Sequence, residues 1–256
     1  ILATDRNSQG LGHTNMRMYI FEQRKERCAG LTAELRSAGI ELQFVTAEFF
    51  TTGLGPLLQP GHQTNAVLIG ECDDTREYIR AMRTAGCVNP VIVLKDFRNA
   101  KDTSDLLNLG ADDVIVSPIR GAEVLSRTNS IIRRHYGHAS ESVIVGELTA
   151  YFDGRDPIVS GSRIKLSKRE YSVFQHLALN SNKVISKDAI YDAIYGSSID
   201  QPFDKVIDVY ICKLRKKLST ATGGDNYIET VWGRGYVLRD PQDDQMSGGH
   251  RMAVGA

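Results

Sequence analysis

Two stretches near the C-terminus decide the fold of the second half: IDVYICKLRKKL at residues 207–218 and YIETVWGRGYVLRDP at residues 227–241. In the first, Ile207, Ile211, Leu214 and Leu218 recur at i, i+4, i+7 and i+11, the apolar stripe of a helix packed on a core. The pattern predicts a helix from about Pro202 to Leu218, with Pro202 in its first turn. Lys205, Val209, Cys212, Lys213 and Lys216 fall on its opposite face. In the second stretch, runs at 227–231 and 236–238 read as strands joined by Trp232-Gly233-Arg234-Gly235, where glycines permit a tight turn.

Upstream lie two more helical segments. Ser167-Lys168-Arg169-Glu170 reads as a capping box, with the serine hydroxyl and the glutamate satisfying each other's backbone amides. The helix it opens carries Tyr171, Phe174, Leu177 and Ala178 on one face. A second, short helix is predicted over 187–195, stopped by Gly196. Before them, short apolar runs at 143–145, 148–152, 158–159 and 164–166 alternate with turn-formers such as Asp153-Gly154 and Ser160-Gly161, the texture of antiparallel strands. Three helices followed by a two-stranded wing make a winged helix-turn-helix.

The first half has a different texture. Apolar runs at 18–21, 66–69, 91–94 and 114–116, with a further strand at 40–45, alternate with helical patterns at 25–38, 75–84, 103–109 and 121–135. Runs apolar on both faces belong to buried parallel strands, and five strand–helix units make a doubly wound, flavodoxin-like α/β domain rather than a barrel. The small polar segment 137–142 reads as a linker. Residues 16–136 and 143–241 are then the two domains, with 1–15 a leader outside the fold and 242–256 a tail.

The chain has 256 residues, with 31 Lys+Arg against 31 Asp+Glu. At 41% hydrophobic and 24% charged it has the make-up of a globular protein, not of a disordered one. No run is long enough to span a bilayer, and zero net charge argues against non-specific coating of nucleic acid. The basic excess is local. Residues 205–239 hold seven cations (Lys205, Lys213, Arg215, Lys216, Lys217, Arg234, Arg239) against Asp208, Asp225 and Glu229. Cys28, Cys72, Cys87 and Cys212 are far apart with no CxxC pair, which predicts reduced thiols in a cytoplasmic protein rather than a zinc site or disulfide framework. No cofactor is expected. The sequence has no Gly-rich phosphate loop, nucleophile elbow or metal-ligand cluster, so an enzyme is not expected either.

Together with KLSKREYSVFQHLALN at 165–180, the two opening stretches resemble the effector domain of OmpR/PhoB-type response regulators. Within that family the CtrA-like regulators and flagellar regulators of the FtcR kind are the most similar, the latter sharing a YFDGRDP stretch, here at 151–157. The resemblance implies a sequence-specific transcription regulator that binds double-stranded promoter half-sites, pairs as a homodimer and meets RNA polymerase. It implies that Val209 touches thymine methyls, Lys213 reaches bases and Arg215 holds phosphate, with Lys205 and Lys216 on the same face. Arg234 is assigned to the minor groove. Trp232, where the family often has Arg, is expected to pack beneath the wing, the alternative being that it stacks on a sugar.

Residues 16–136 resemble a receiver domain with its phosphotransfer groups replaced. Glu22 and Gln23 stand where an acidic pair is expected, followed by Arg24. Gly70 and Glu71 occupy the phosphoacceptor region. Lys95 replaces a small hydroxyl, and Ser117 replaces the lysine. Phosphoryl transfer is mostly positioning and charge neutralisation, so such a pocket is expected not to phosphorylate itself. Glu71 is open to three readings: a fixed phosphoaspartate mimic paired with Lys95, a solvated carboxylate, or a partner of Arg24. Lys95 could equally point into solvent. The last receiver helix resembles the face through which receivers pair, with Asp113 as partner for Arg127. The rival readings are a phosphorylation-switched regulator and a pseudo-receiver interaction module with residual DNA binding.

Overall fold

The structure, a computed structural model, describes residues 16–59, 61–195 and 205–242. Strands β1 (Arg17–Phe21), β2 (Glu41–Phe44), β3 (Ala66–Gly70), β4 (Val91–Lys95) and β5 (Asp113–Val116) form one parallel sheet in the order β2-β1-β3-β4-β5. Helices α1 (Lys25–Ser37) and α6 (Gly121–His135) cover one face, and α4 (Thr75–Thr84) and α5 (Ala100–Asn108) the other. The period-two alternation of a strand explains the split. Met18, Ile20, Leu68, Ile92 and Leu94 join Leu31 and Leu35 of α1, whereas Tyr19, Phe21, Val67, Ile69, Val91 and Val93 join Ile79 and Met82 of α4. Both faces are covered, which is why these strands read as unbroken apolar runs. The strand order reverses between β1 and β3, and the crevice beyond their C-terminal ends is where such sheets place a site.

One of the five expected units lacks a regular helix. Between β2 and β3 stand two single turns, α2 (Phe49–Thr52) and α3 (Gly55–Leu58), and a 3-10 turn at His62–Thr64. Gly53, Gly55-Pro56 and Gly61 interrupt any longer helix. Buried aromatics do the packing instead: Phe49 stacks on Tyr19 and Phe50 on Tyr78, with centroids 5.1 and 4.1 Å apart.

In the second half, β6 (Ser142–Val145), β7 (Leu148–Tyr151), β8 (Ile158–Val159) and β9 (Ser162–Arg163) form an antiparallel meander. The strand expected at 164–166 is absent as a strand. The amides of Ile164 and Leu166 turn to the Pro157 carbonyl (2.8 Å) and the Asp156 carboxylate (3.0 Å), although both side chains are buried. Helices α7 (Lys168–Leu179), α8 (Lys187–Tyr195) and α9 (Val206–Thr222) follow, then the hairpin of β10 (Ile228–Val231) and β11 (Gly235–Leu238). The Ser167–Glu170 capping box is present at the start of α7. Helix α9 runs one turn past Leu218, its last core position, and ends at Gly223 in the left-handed conformation. The expected start at Pro202 and stop at Gly196 lie outside the described residues.

The halves touch through named groups. His62, buried, places its ring nitrogens 2.6 Å from the Pro56 carbonyl and 2.8 Å from the Asp192 carbonyl of α8. His138 meets the Leu179 carbonyl at 2.8 Å and lies against Phe152. No described helix is long and apolar enough to cross a membrane.

Candidate nucleic-acid interface and a filled receiver crevice

The α9 stripe is buried as its spacing predicts, with Ile207, Ile211, Leu214 and Leu218 all at most 2% exposed. Lys205, Val209, Cys212, Lys213 and Lys216 are exposed on the other side. Lys213 Nζ lies 5.8 Å from the Tyr210 ring centroid, within cation–π range. Among the described residues no carboxylate lies within ion-pair distance of Lys205, Lys213, Lys216 or Arg234.

The wing is braced onto α9 and α8. Arg215 Nε donates to the Ile228 carbonyl at 2.7 Å and Nη2 to Thr230 Oγ1 at 2.8 Å. Tyr236 pairs its backbone with Ile185, and its hydroxyl donates to Asp208 at 2.5 Å. Lys187 Nζ closes the set on the other oxygen of Asp208 at 2.8 Å. Burial, and then the Asp208 carboxylate, push the Tyr236 phenol up to about 12. The Lys187 and Tyr236 hydrogen bonds hold Asp208 below the ordinary carboxylate value. Gly235 is obligatory, because a Cβ there would stand 2.0 Å from the Ile185 carbonyl oxygen. Arg215 thus uses two of its nitrogens on the wing. One expectation changes: Trp232 is 90% exposed at the tip and is not packed beneath it. The turn that places Gly233 and Gly235 at positive φ carries the indole outward.

In the crevice of the parallel sheet the charges are arranged quite differently. The Glu22 side chain is 2% exposed and accepts from the Arg24 amide (2.9 Å), Arg24 Nε (3.2 Å) and Arg27 Nη1 (3.2 Å). Asp96, just beyond β4, pairs with both arginines. Arg27 Nη1 also donates to the Leu94 carbonyl at 2.8 Å. Burial lowers the pKa of the Arg27 guanidinium although Glu22 opposes the shift. Gly70 is the last residue of β3, paired with Leu94. A Cβ there would meet the Glu22 carboxylate at 2.5–2.7 Å, so the Glu22 head fills the space of any side chain at position 70.

Lys95 does not point into solvent: it is 3% exposed, with Nζ 2.6 Å from Glu71 Oε1 and paired also with Asp102 of α5. Burial alone would lower its pKa, but hydrogen bonds to Asp102 and Glu71 outweigh burial and raise it. Asp102 is held low, by Lys95 first and Arg76 after it. Glu71 pairs with Lys95 while its side chain stays 41% exposed, and Arg24 reaches only its carbonyl, at 3.4 Å. Gln23 is exposed, and Ser117, also exposed, comes no closer than 3.5 Å to Asp96. Asp113 and Arg127 meet within one chain at 2.8 Å, and Arg127 also pairs with Glu123 at 2.7 Å.

The sequence reading overlooked Arg27, Asp96 and Asp102. Arg27 stands three residues after Arg24, hence on the same side of α1, and Asp96 follows Lys95 directly. Those spacings single out the residues but not the partners they meet.

A five-stranded receiver-like sheet joined to a winged three-helix domain defines a DNA-binding response regulator of the OmpR/PhoB type, and the chain belongs to that family. Cell cycle response regulators CtrA are among its relatives: that of Brucella anthropi is 39% identical over 165 residues, 64% of this chain and 71% of the relative. CtrA of Brucella ovis is 38% identical over the same shares. The family model "Transcriptional regulatory protein, C terminal" matches residues 161–238. The solved structure of DrrB, an OmpR/PhoB homolog from Thermotoga maritima, is 21% identical, with a TM-score of 0.39, and covers 88% of this chain and 99% of that one.

Proposed function

We propose that this regulator binds promoter DNA without being phosphorylated. The observation that carries the reading is the filled crevice: Glu22 sits in the volume of an acceptor side chain at position 70, and Arg24 and Arg27 stand beside it with Asp96 as counter-ion. A divalent cation needs free oxygen ligands, and here the two carboxylates are already bound to guanidinium groups. Lys95 and Glu71 form an ion pair where a phosphoryl group would meet a hydroxyl, a stand-in for that contact.

In this reading the duplex is held by α9 and the wing. Val209 meets thymine methyls, Lys213 reaches base edges, and Lys205 and Lys216 lie along phosphates. Arg215 offers Nη1 to a phosphate while its other nitrogens brace the wing. Arg234 enters the minor groove. Two copies pair through the face of α5, β5 and α6, with Asp113 and Arg127 at the seam, and read repeated half-sites. Residues 16–136 are the pairing unit and 143–241 the DNA-binding unit, joined by 137–142. RNA polymerase is the further partner, and cell-cycle or flagellar promoters are the targets the resemblance suggests.

The test is treatment of the full chain with a small phosphodonor and Mg²⁺. Intact-protein mass should not change, and neither should affinity for a duplex selected from a randomised pool. A stable gain of one phosphoryl group, abolished by changing Glu71, Asp73 or Asp74, overturns the reading.

A further inference from the structure

We infer that the seam between the two domains is a pH-sensitive clasp, closed while His176 is neutral and opened when its ring takes up a proton. The clasp uses neither α9, the wing nor the crevice, so it does not depend on the duplex-binding reading. Met16, ahead of β1, and Thr64, ahead of β3, place the seam at the N-terminal ends of the strands, and the crevice lies at their other ends. The contact is close. Met16 and Ile132 of the first domain share one apolar cluster with Phe152 and Leu179 of the second. Gly61, at positive φ, is pressed so near α8 that a Cβ there would stand 2.8 Å from Ala193. Asn89, fully buried, donates to the His62 and Asn65 carbonyls at 2.7 and 2.9 Å and so fixes the segment that carries Gly61.

Three histidines meet in this seam. His62 links the Pro56 carbonyl of its own domain to the Asp192 carbonyl of α8, and His138 reaches the Leu179 carbonyl of α7. His176 of α7, 8% exposed, lines a cavity of about 30 Å³ closed by Met16, Thr64, Asn129 and Ile132 on one side and by α7 and α8 on the other. That volume holds about two waters, too few to solvate an imidazolium. Among the described residues the ring has no hydrogen-bond partner. The charged groups adjoining the cavity lining, Arg17, Arg133, Asp153 and Asp192, do not act on it: burial alone pushes the His176 imidazole down to about 4. A ring lowered in this way supports the closed seam fully above its ordinary value of 6.5, and that support is lost as pH falls towards about 4. His62 and His138 face carbonyls, which accept from a ring in either protonation state, so neither drives the seam apart.

Hydrogen exchange of the full chain, corrected for the intrinsic rate at each pH, reads the opening ratio. Protection of residues 61–65 should fall about tenfold between about pH 7.5 and about pH 5.5, while β3 and β4 keep theirs. His176→Gln should remove that fall. Gly61→Ala should lower protection of the seam at both pH values and return the His176 ring, followed by NMR, towards its ordinary titration. Equal protection of 61–65 at the two pH values, or the same fall in His176→Gln, overturns the clasp. If His176→Gln loses protection throughout β3 and β4 as well, the variant is unfolded and the wild-type ring decides: titration of His176 at its ordinary value in the intact chain overturns the clasp, and titration well below that value, restored by Gly61→Ala, supports it.

Discussion

The crevice of the first domain and the reading face of the second both gather cations, and they use them in opposite ways. Arg24, Arg27 and Lys95 each face carboxylates, and Arg27 and Lys95 are nearly buried. Lys205, Lys213, Lys216 and Arg234 are exposed and, among the described residues, none lies within ion-pair distance of a carboxylate. A cation already paired in a crevice has no charge left to offer a phosphoryl group or a metal's ligands. A cation left unpaired on an exposed face keeps its full attraction for a polyanion. The fold preserves both scaffolds, and the pairing of charges decides which of the two is open to a ligand.

The largest break in that contrast is Arg27→Ala. It leaves Glu22, whose side chain is 2% exposed, with Arg24 as its only guanidinium, and Asp96 loses one of two partners. Removing one member of a buried, hydrogen-bonded ion set typically costs about 3–5 kcal/mol, because a charge is left buried and undercompensated. Denaturant unfolding should show a loss of that order. A loss below about 1 kcal/mol means that water reaches Glu22 and the crevice is open.

On the open face the effect is smaller and of a different kind. Lys213→Ala should leave folding untouched, since Nζ has only the Tyr210 ring near it. It should cost about 1–3 kcal/mol of binding on a matched duplex and much less on a mismatched one. Titrations on the two duplexes decide it. Equal losses on both would move Lys213 to the phosphate backbone and leave Val209 as the base-reading side chain of this face.

What could be read in the sequence follows the same division. The α9 stripe, the Ser167 cap and the five parallel strands depend on local periodicity, which is written in the chain. Fates of individual charges depend on neighbours far apart in sequence. Arg27 meets Asp96 only because β1 and β4 flank β3 in the sheet, and no spacing rule announces that. The same holds for Lys95, whose burial comes from Glu71 and Asp102 converging on it across two connections. Trp232 departs from the expected burial because the positive-φ turn at Gly233 sends it outward. The helical unit expected between β2 and β3 failed for a local reason, the glycines and proline that cut it into single turns.

The smallest effect is expected at Arg127, and the reason sharpens the comparison. Its guanidinium is held above its ordinary value by Asp113 first and Glu123 second, both in its own chain. Arg127 and Asp113 are 44% and 26% exposed as side chains, so this is a half-solvated pair worth about 0–1 kcal/mol. If two copies pair through α5, β5 and α6, Arg127 can only exchange Asp113 of its own chain for the equivalent residue of the other. The number of ion pairs is the same before and after, so the exchange adds little to association. Arg127→Ala should therefore weaken the dimer by no more than about fivefold, the equivalent of 1 kcal/mol, and lower stability by a similar small amount. Sedimentation across a concentration series measures the first and denaturant unfolding the second. Complete conversion to monomer would show that Arg127 makes contacts across the seam that it does not make within one chain. The first domain's charges would then be partly unspent, contrary to the contrast with α9 and the wing.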